Sequence, residues 1–147
     1  IVPTDTFTTS NDLFMDPLSR FEVLMDPTAI TSQMLIANGE FTLGSPSGLG
    51  VYLDPIIAND TLLDDGTKFT IIDYQDGNDL VGLFMDDNLK LLREGDLITE
   101  GLNTFRLSYH DGGSMVTLTT VPEPGSFVLA VGLIGGALMW RGRRKQA

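Results

Sequence analysis

Asn103-Thr-Phe-Arg-Leu-Ser-Tyr-His-Asp-Gly-Gly-Ser-Met-Val-Thr-Leu-Thr-Thr-Val121 is the stretch that decides the fold. Phe105, Leu107 and Tyr109 alternate with Arg106 and Ser108, and Val116 and Leu118 alternate with Thr117 and Thr119. A period of two with aromatic and β-branched residues predicts strands, and Asp111-Gly112-Gly113 predicts the turn between them. The same rhythm recurs upstream. Leu49, Val51 and Leu53 alternate with Gly50 and Tyr52, while Phe69-Thr70-Ile71-Ile72 is apolar on both faces and fits a central strand. Asn38-Gly39, Asp65-Gly66 and Asp76-Gly77-Asn78 mark further turns. Thr28 to Ala37 fits either a helix or a strand entering Asn38-Gly39. The expectation is an all-β region over residues 1–120, arranged as a β-solenoid, a β-sandwich or a barrel. Leu49, Val51, Leu53, Phe69, Ile71, Phe105, Leu107, Tyr109, Val116 and Leu118 are expected to point inward. A ten-residue echo, Met15-Asp16-Pro17 and Met25-Asp26-Pro27, is no stronger than chance in an Asp-rich chain.

Charge divides the chain sharply. Residues 1–121 carry five basic and 19 acidic residues, a net −14, whereas the remainder carries four basic residues and Glu123, a net +3. A region this acidic repels phosphate, so no nucleic-acid partner is expected. There is no cysteine, which excludes disulfides and thiolate metal sites. The chain starts at Ile1, and an export signal is expected to lie upstream of it.

Residues 121–147 read as a separate unit. Pro122-Glu123-Pro124 precedes 14 uncharged residues, Phe127 to Trp140, and then Arg141, Arg143, Arg144 and Lys145. As a helix, 14 residues span about 21 Å, short of the roughly 30 Å hydrocarbon core. The predicted element is one short C-terminal transmembrane helix over 127–140, held on the cytoplasmic side by the basic cluster. Gly132 and Gly136 form a GxxxG pair able to pack helices. Pro122 and Pro124 lack amide donors and leave Glu123 in an extended segment outside the membrane.

The order Val121-Pro-Glu-Pro-Gly-Ser126, short span and arginine-rich end resembles the PEP-CTERM sorting signal over Val121 to Lys145. The resemblance implies recognition of Pro122, Glu123 and Pro124 by an exosortase, a membrane-embedded processing enzyme of Gram-negative bacteria. It also implies transit through the inner membrane, removal of the tail and delivery to the cell surface or extracellular matrix. A second likeness covers about residues 32–120. Gly66-Thr-Lys-Phe-Thr-Ile-Ile-Asp73, Val81-Gly-Leu-Phe84, Glu94-Gly-Asp-Leu-Ile98, Asn103 to Tyr109 and Val116-Thr-Leu-Thr119 follow one another in that order. This is similar to the strand-rich, autotransporter-like region preceding many such tails, which implies a stacked β fold closing a longer solenoid. The family often carries Gly-Asp-Gly-Asn-Asp before its last strand, where this chain has Asp111-Gly112-Gly113-Ser114.

Chemistry is sparse. His110, the only histidine, lies beside Asp111 and two residues from Ser108, but a Ser-His-Asp arrangement needs more than local spacing. It is expected to be a turn histidine, and no catalytic residue is assigned. Asp73, Asp76, Asn78 and Asp79 form the best oxygen cluster for a hard cation, yet no glutamate closes a loop, and an Asx-stabilised turn is expected. Asp64-Asp65-Gly66 and Asp86-Asp87-Asn88 read the same way. No metal and no cofactor are expected. The leading expectation is a non-enzymatic exported surface or matrix protein. Its partners would be an exosortase-type enzyme, the membrane and extracellular polysaccharide. The alternatives are the C-terminal part of a polysaccharide-processing β-helix enzyme with its active site upstream, and a single-pass membrane protein that is never processed.

Overall fold

A computed structural model describes residues 6–45, 48–75 and 79–122. These residues are nearly all β, with 3% helix and a curled half-barrel sheet. Thirteen strands follow in chain order: β1 (Thr6–Thr9), β2 (Leu13–Met15), β3 (Arg20–Asp26), β4 (Thr31–Ser32), β5 (Met34–Ala37), β6 (Phe41–Leu43), β7 (Val51–Ile57), β8 (Lys68–Asp73), β9 (Leu80–Gly82), β10 (Phe84–Met85), β11 (Leu97–Glu100), β12 (Asn103–Asp111) and β13 (Met115–Val121). A 3-10 turn, Ala58–Asp60, follows β7.

Nine of the first ten strands are organised by parallel pairing, and β4 pairs antiparallel with β3. β1, β5 and β8 lie side by side, as do β2, β6 and β9, and as do β3, β7 and β10. The chain therefore passes three times through the same three sheet positions. Like side chains meet like across the passes. Phe41 pairs with Leu13 on one side and Leu80 on the other, and Met25 pairs with Ile57. β7 alternates buried and outward residues along most of its length, because one face meets the core and the other water. That alternation is why its period of two is legible.

The last three strands turn antiparallel. β13 joins β8 on one edge and β12 on the other, and β11 completes a six-stranded sheet in the order β1-β5-β8-β13-β12-β11. The ambiguous Thr28 to Ala37 segment resolves into β4 and β5. Of the ten residues expected inward, nine are buried, Val51, Phe69, Ile71, Phe105, Leu107, Val116 and Leu118 almost completely. Leu49 is the correction: it is 46% exposed. It lies ahead of β7, where its carbonyl bonds Ser45 N, so its alternation with Val51 has no strand beneath it. Thr117 is also buried, against the simple alternation, because the β13–β8 register shifts between Val116 and Thr117.

Among the described residues no helix is long and apolar enough to cross a membrane. The 127–140 helix, the GxxxG pair, Glu123, Pro124 and the cluster of Arg141, Arg143, Arg144 and Lys145 lie outside the described residues.

Candidate functional site

Two places hold the residues of interest: the point where the chain leaves the sheet toward Pro122, and the polar network around His110. At the exit, Val121 pairs with Thr104 as the last residue of β13. Pro122 follows and is exposed. With no N–H to donate, it cannot extend the ladder. The strand end is held from both sides. Thr120 Oγ1 donates to the Asp64 carbonyl at 2.6 Å and accepts from Thr67 N at 2.8 Å. Asn103, buried beside it, donates through Nδ2 to the Thr61 carbonyl at 2.8 Å and accepts through Oδ1 from Leu63 N at 2.8 Å. These contacts satisfy backbone groups that the loop between β7 and β8 leaves without sheet partners.

Around His110 the polar groups bond one another and the backbone. Tyr74 Oη lies 2.9 Å from His110 Nδ1, 2.9 Å from the Gly113 carbonyl and 3.1 Å from the Tyr109 carbonyl. A phenol has one proton, so with two carbonyls in reach it is best satisfied when His110 Nδ1 donates to it. Burial, with the charges of Asp79 and Glu94, pushes the Tyr74 hydroxyl above its ordinary value. Tyr109 Oη donates to the Leu92 carbonyl at 2.8 Å and accepts from Phe84 N at 2.9 Å, and burial raises its pKa strongly. Glu94 Oε2 accepts from Tyr109 N at 2.6 Å. A cavity of about 140 Å³ borders Glu94, Arg93 and His110.

Asp111 does not orient the histidine. Its carboxylate meets Lys68 Nζ at 2.7 Å and accepts from Thr117 Oγ1 at 3.1 Å. The Lys68 ammonium holds that carboxyl below the usual range. His110 and Asp111 are thus tied to different residues, His110 to Tyr74 and Asp111 to Lys68 and Thr117.

The oxygen cluster is only partly described, since Asp76 and Asn78 lie outside the described residues. Asp73 Oδ1 accepts from Gln75 N at 3.0 Å, an Asx turn. Asp86 Oδ1 likewise accepts from Asn88 N and Lys90 N, both at 2.9 Å. Among the described residues no group of three or more carboxylates or histidines is placed to hold a metal ion.

Residues 120–145 match the family model described as the PEP-CTERM protein-sorting motif. The motif is of the kind an exosortase recognises, and it marks an exported protein that crosses the membrane toward the cell surface or the extracellular space. Its first matched residue, Thr120, is a member of β13, so domain and signal overlap. No curated protein and no solved structure matches the chain. The motif was legible in the sequence. The anchoring roles of Asn103 and Thr120 were not, because their partners are about 40 to 56 residues away in the chain.

Proposed function

We propose that the chain is a non-enzymatic surface or matrix protein, whose β region is a scaffold or adhesive module released from the inner membrane by an exosortase-type enzyme. The observation that carries this reading is the sorting motif continuing directly out of the last strand of an all-β domain. The domain would comprise residues 1–120, and the signal residues 121–147 with its membrane segment at 127–140. Pro122, Glu123 and Pro124 would be the recognised residues, and Arg141, Arg143, Arg144 and Lys145 the membrane stop. The three parallel passes support a short β-solenoid, closed by the antiparallel β11–β13 unit. A structural role for the polar residues is supported by their occupation: His110, Asp111 and Glu94 each bond a residue of the fold. An acidic exterior suits a hydrated extracellular matrix, where polysaccharide is the natural ligand class.

Mass spectrometry of the surface-exposed protein tests the reading. A C-terminus near Pro122–Pro124 is expected, and an intact Ala147 on mature protein would leave an unprocessed membrane anchor instead.

One observation favours a second reading, the C-terminal part of a polysaccharide-processing β-helix enzyme. β1 and β2 are edge strands, and Phe7 and Phe14 on them are 63% and 56% exposed. A further turn of chain ahead of them would cover both. Acidic pairs encoded upstream would favour this enzyme.

A further inference from the structure

The sheet runs into the sorting motif with no linker between them. Val121 is still paired, and Pro122 is the next residue. The rim around that exit is built from two segments, 58–67 and 99–104. Gly66 N donates to the Thr120 carbonyl at 2.9 Å, which holds the first segment against the strand end. Asn103 joins the two segments through its bonds to Thr61 and Leu63. A Cβ placed on Gly101 would stand 3.3 Å from Asp60 Oδ1, so the β11–β12 turn abuts the 3-10 turn.

Two large apolar side chains stand out of this rim. Leu62 is 68% exposed and Leu102 is 57% exposed. Leu62 lies between the two residues that Asn103 bonds, and Leu102 precedes Asn103 in the chain, so both flank one anchor. The rest of the rim is acidic, with Asp60, Asp64, Asp65 and Glu100, and neither segment contains lysine or arginine.

We propose that this rim is a docking surface for the membrane-embedded processing enzyme that reads the adjoining sorting motif. The proposal rests on the sorting-signal reading and adds a folded half to it. Chain length forces the contact. An extended chain covers at most about 3.6 Å per residue, so Pro122 and Phe127 are no more than about 18 Å apart. An enzyme seated on the motif at the membrane surface therefore meets the rim. The partner is protein rather than lipid on desolvation grounds, because the carboxylates beside the two leucines would have to be stripped of water to enter an apolar bilayer. A protein surface can instead offer an apolar pocket with a basic border. The anchors at Asn103 and Thr120 hold the rim in place, so little ordering cost falls on binding.

The test follows processing of the full precursor in its native host by pulse-chase and mass analysis. The double variant L62S/L102S should be processed about fivefold more slowly or worse, the scale of losing two interface anchors. A flexible Gly-Ser linker of about eight residues between Val121 and Pro122 should also slow processing, because it parts the rim from the motif. Wild-type rates in a protease-resistant L62S/L102S protein, or unchanged or faster processing with the linker, overturn the proposal. Should L62S/L102S lose protease resistance, the linker variant decides, since the folded region is untouched. Glu123→Ala separates the two readings. Normal processing of it sinks the sorting signal itself, and a block there beside wild-type rates in the other two variants sinks only the docking surface.

Discussion

The hydroxyl of Tyr109 satisfies two backbone groups at once, the Phe84 N–H and the Leu92 carbonyl, inside the core. Tyr109→Phe keeps the ring, which stacks on Phe84 with centroids 6.2 Å apart, and removes both bonds. Stranding buried polar groups costs about 1–3 kcal/mol. Urea melts of a soluble form ending at Pro122 should show that loss with an unchanged slope. Asp111 supplies a pH-dependent counterpart. Its pKa is lowered chiefly by Lys68, then by Thr117. A depressed carboxyl stabilises the fold above its unfolded value of about 3.9, and the contribution fades as pH falls through the lower folded value. Both side chains of the pair are partly solvated, at 52% and 30% exposure, so the gain stays under about 1 kcal/mol. Asp111→Asn should therefore melt slightly earlier than the parent at pH 7, and the gap should close as the pH falls below about 3.9 and through the lower folded value. That Tyr109 points inward was readable from the alternation at 105–109. Its two partners were not, since Leu92 and Phe84 precede it in loops and short strands with no periodic pattern. Leu49 failed for the opposite reason: its alternation was real in the sequence, but the backbone there runs through a loop.

At the level of elements, the three parallel passes were hidden by unequal corner lengths. Thr6 to Met34 and Leu13 to Phe41 are equal offsets, but Arg20 to Tyr52 is longer, and Leu35 to Ile72 and Phe41 to Leu80 are longer still. A fixed-period search finds nothing in such a chain, and the ten-residue Met-Asp-Pro echo marks only the ends of β2 and β3. The strands themselves were legible where one face meets water, and least so in β9 and β10, which are two or three residues long. The corner after β9 depends on Gly82, whose φ is 91° and whose missing Cβ would run into the Leu43 carbonyl of the neighbouring pass. Gly95 also has a positive φ, 82°, but open space around it. Gly82→Ala should cost about 2 kcal/mol or more, since the passes must separate. Gly95→Ala should cost about 1 kcal/mol, the backbone term alone. Equal losses in paired thermal melts would deny that the passes are in close backbone contact at that corner.

For the whole molecule, the opposed charges of the two units give the tail its logic. A β region of net −14 is joined through Pro122-Glu123-Pro124 to a tail of net +3. This division and the motif were plain in the sequence, because sorting signals are read as linear chain. How the domain meets the signal was not, because the anchors on Thr120 come from loops far upstream. The apolar run is shorter than a comfortable span, which suits a transient anchor. Insertion should depend on that run and the arginines, whereas processing should depend on Glu123. Glu123→Ala leaves the hydrophobic segment unchanged, so the variant should enter the inner membrane as the parent does. It should then stay there with its full mass, while the parent loses the cationic tail and focuses at a lower isoelectric point than its precursor. Fractionation followed by isoelectric focusing reads both effects in one sample. Release of Glu123→Ala to the surface at the parent's rate would sink the sorting-signal reading, because the carboxylate is the one charged group in the recognised Pro122-Glu123-Pro124 turn.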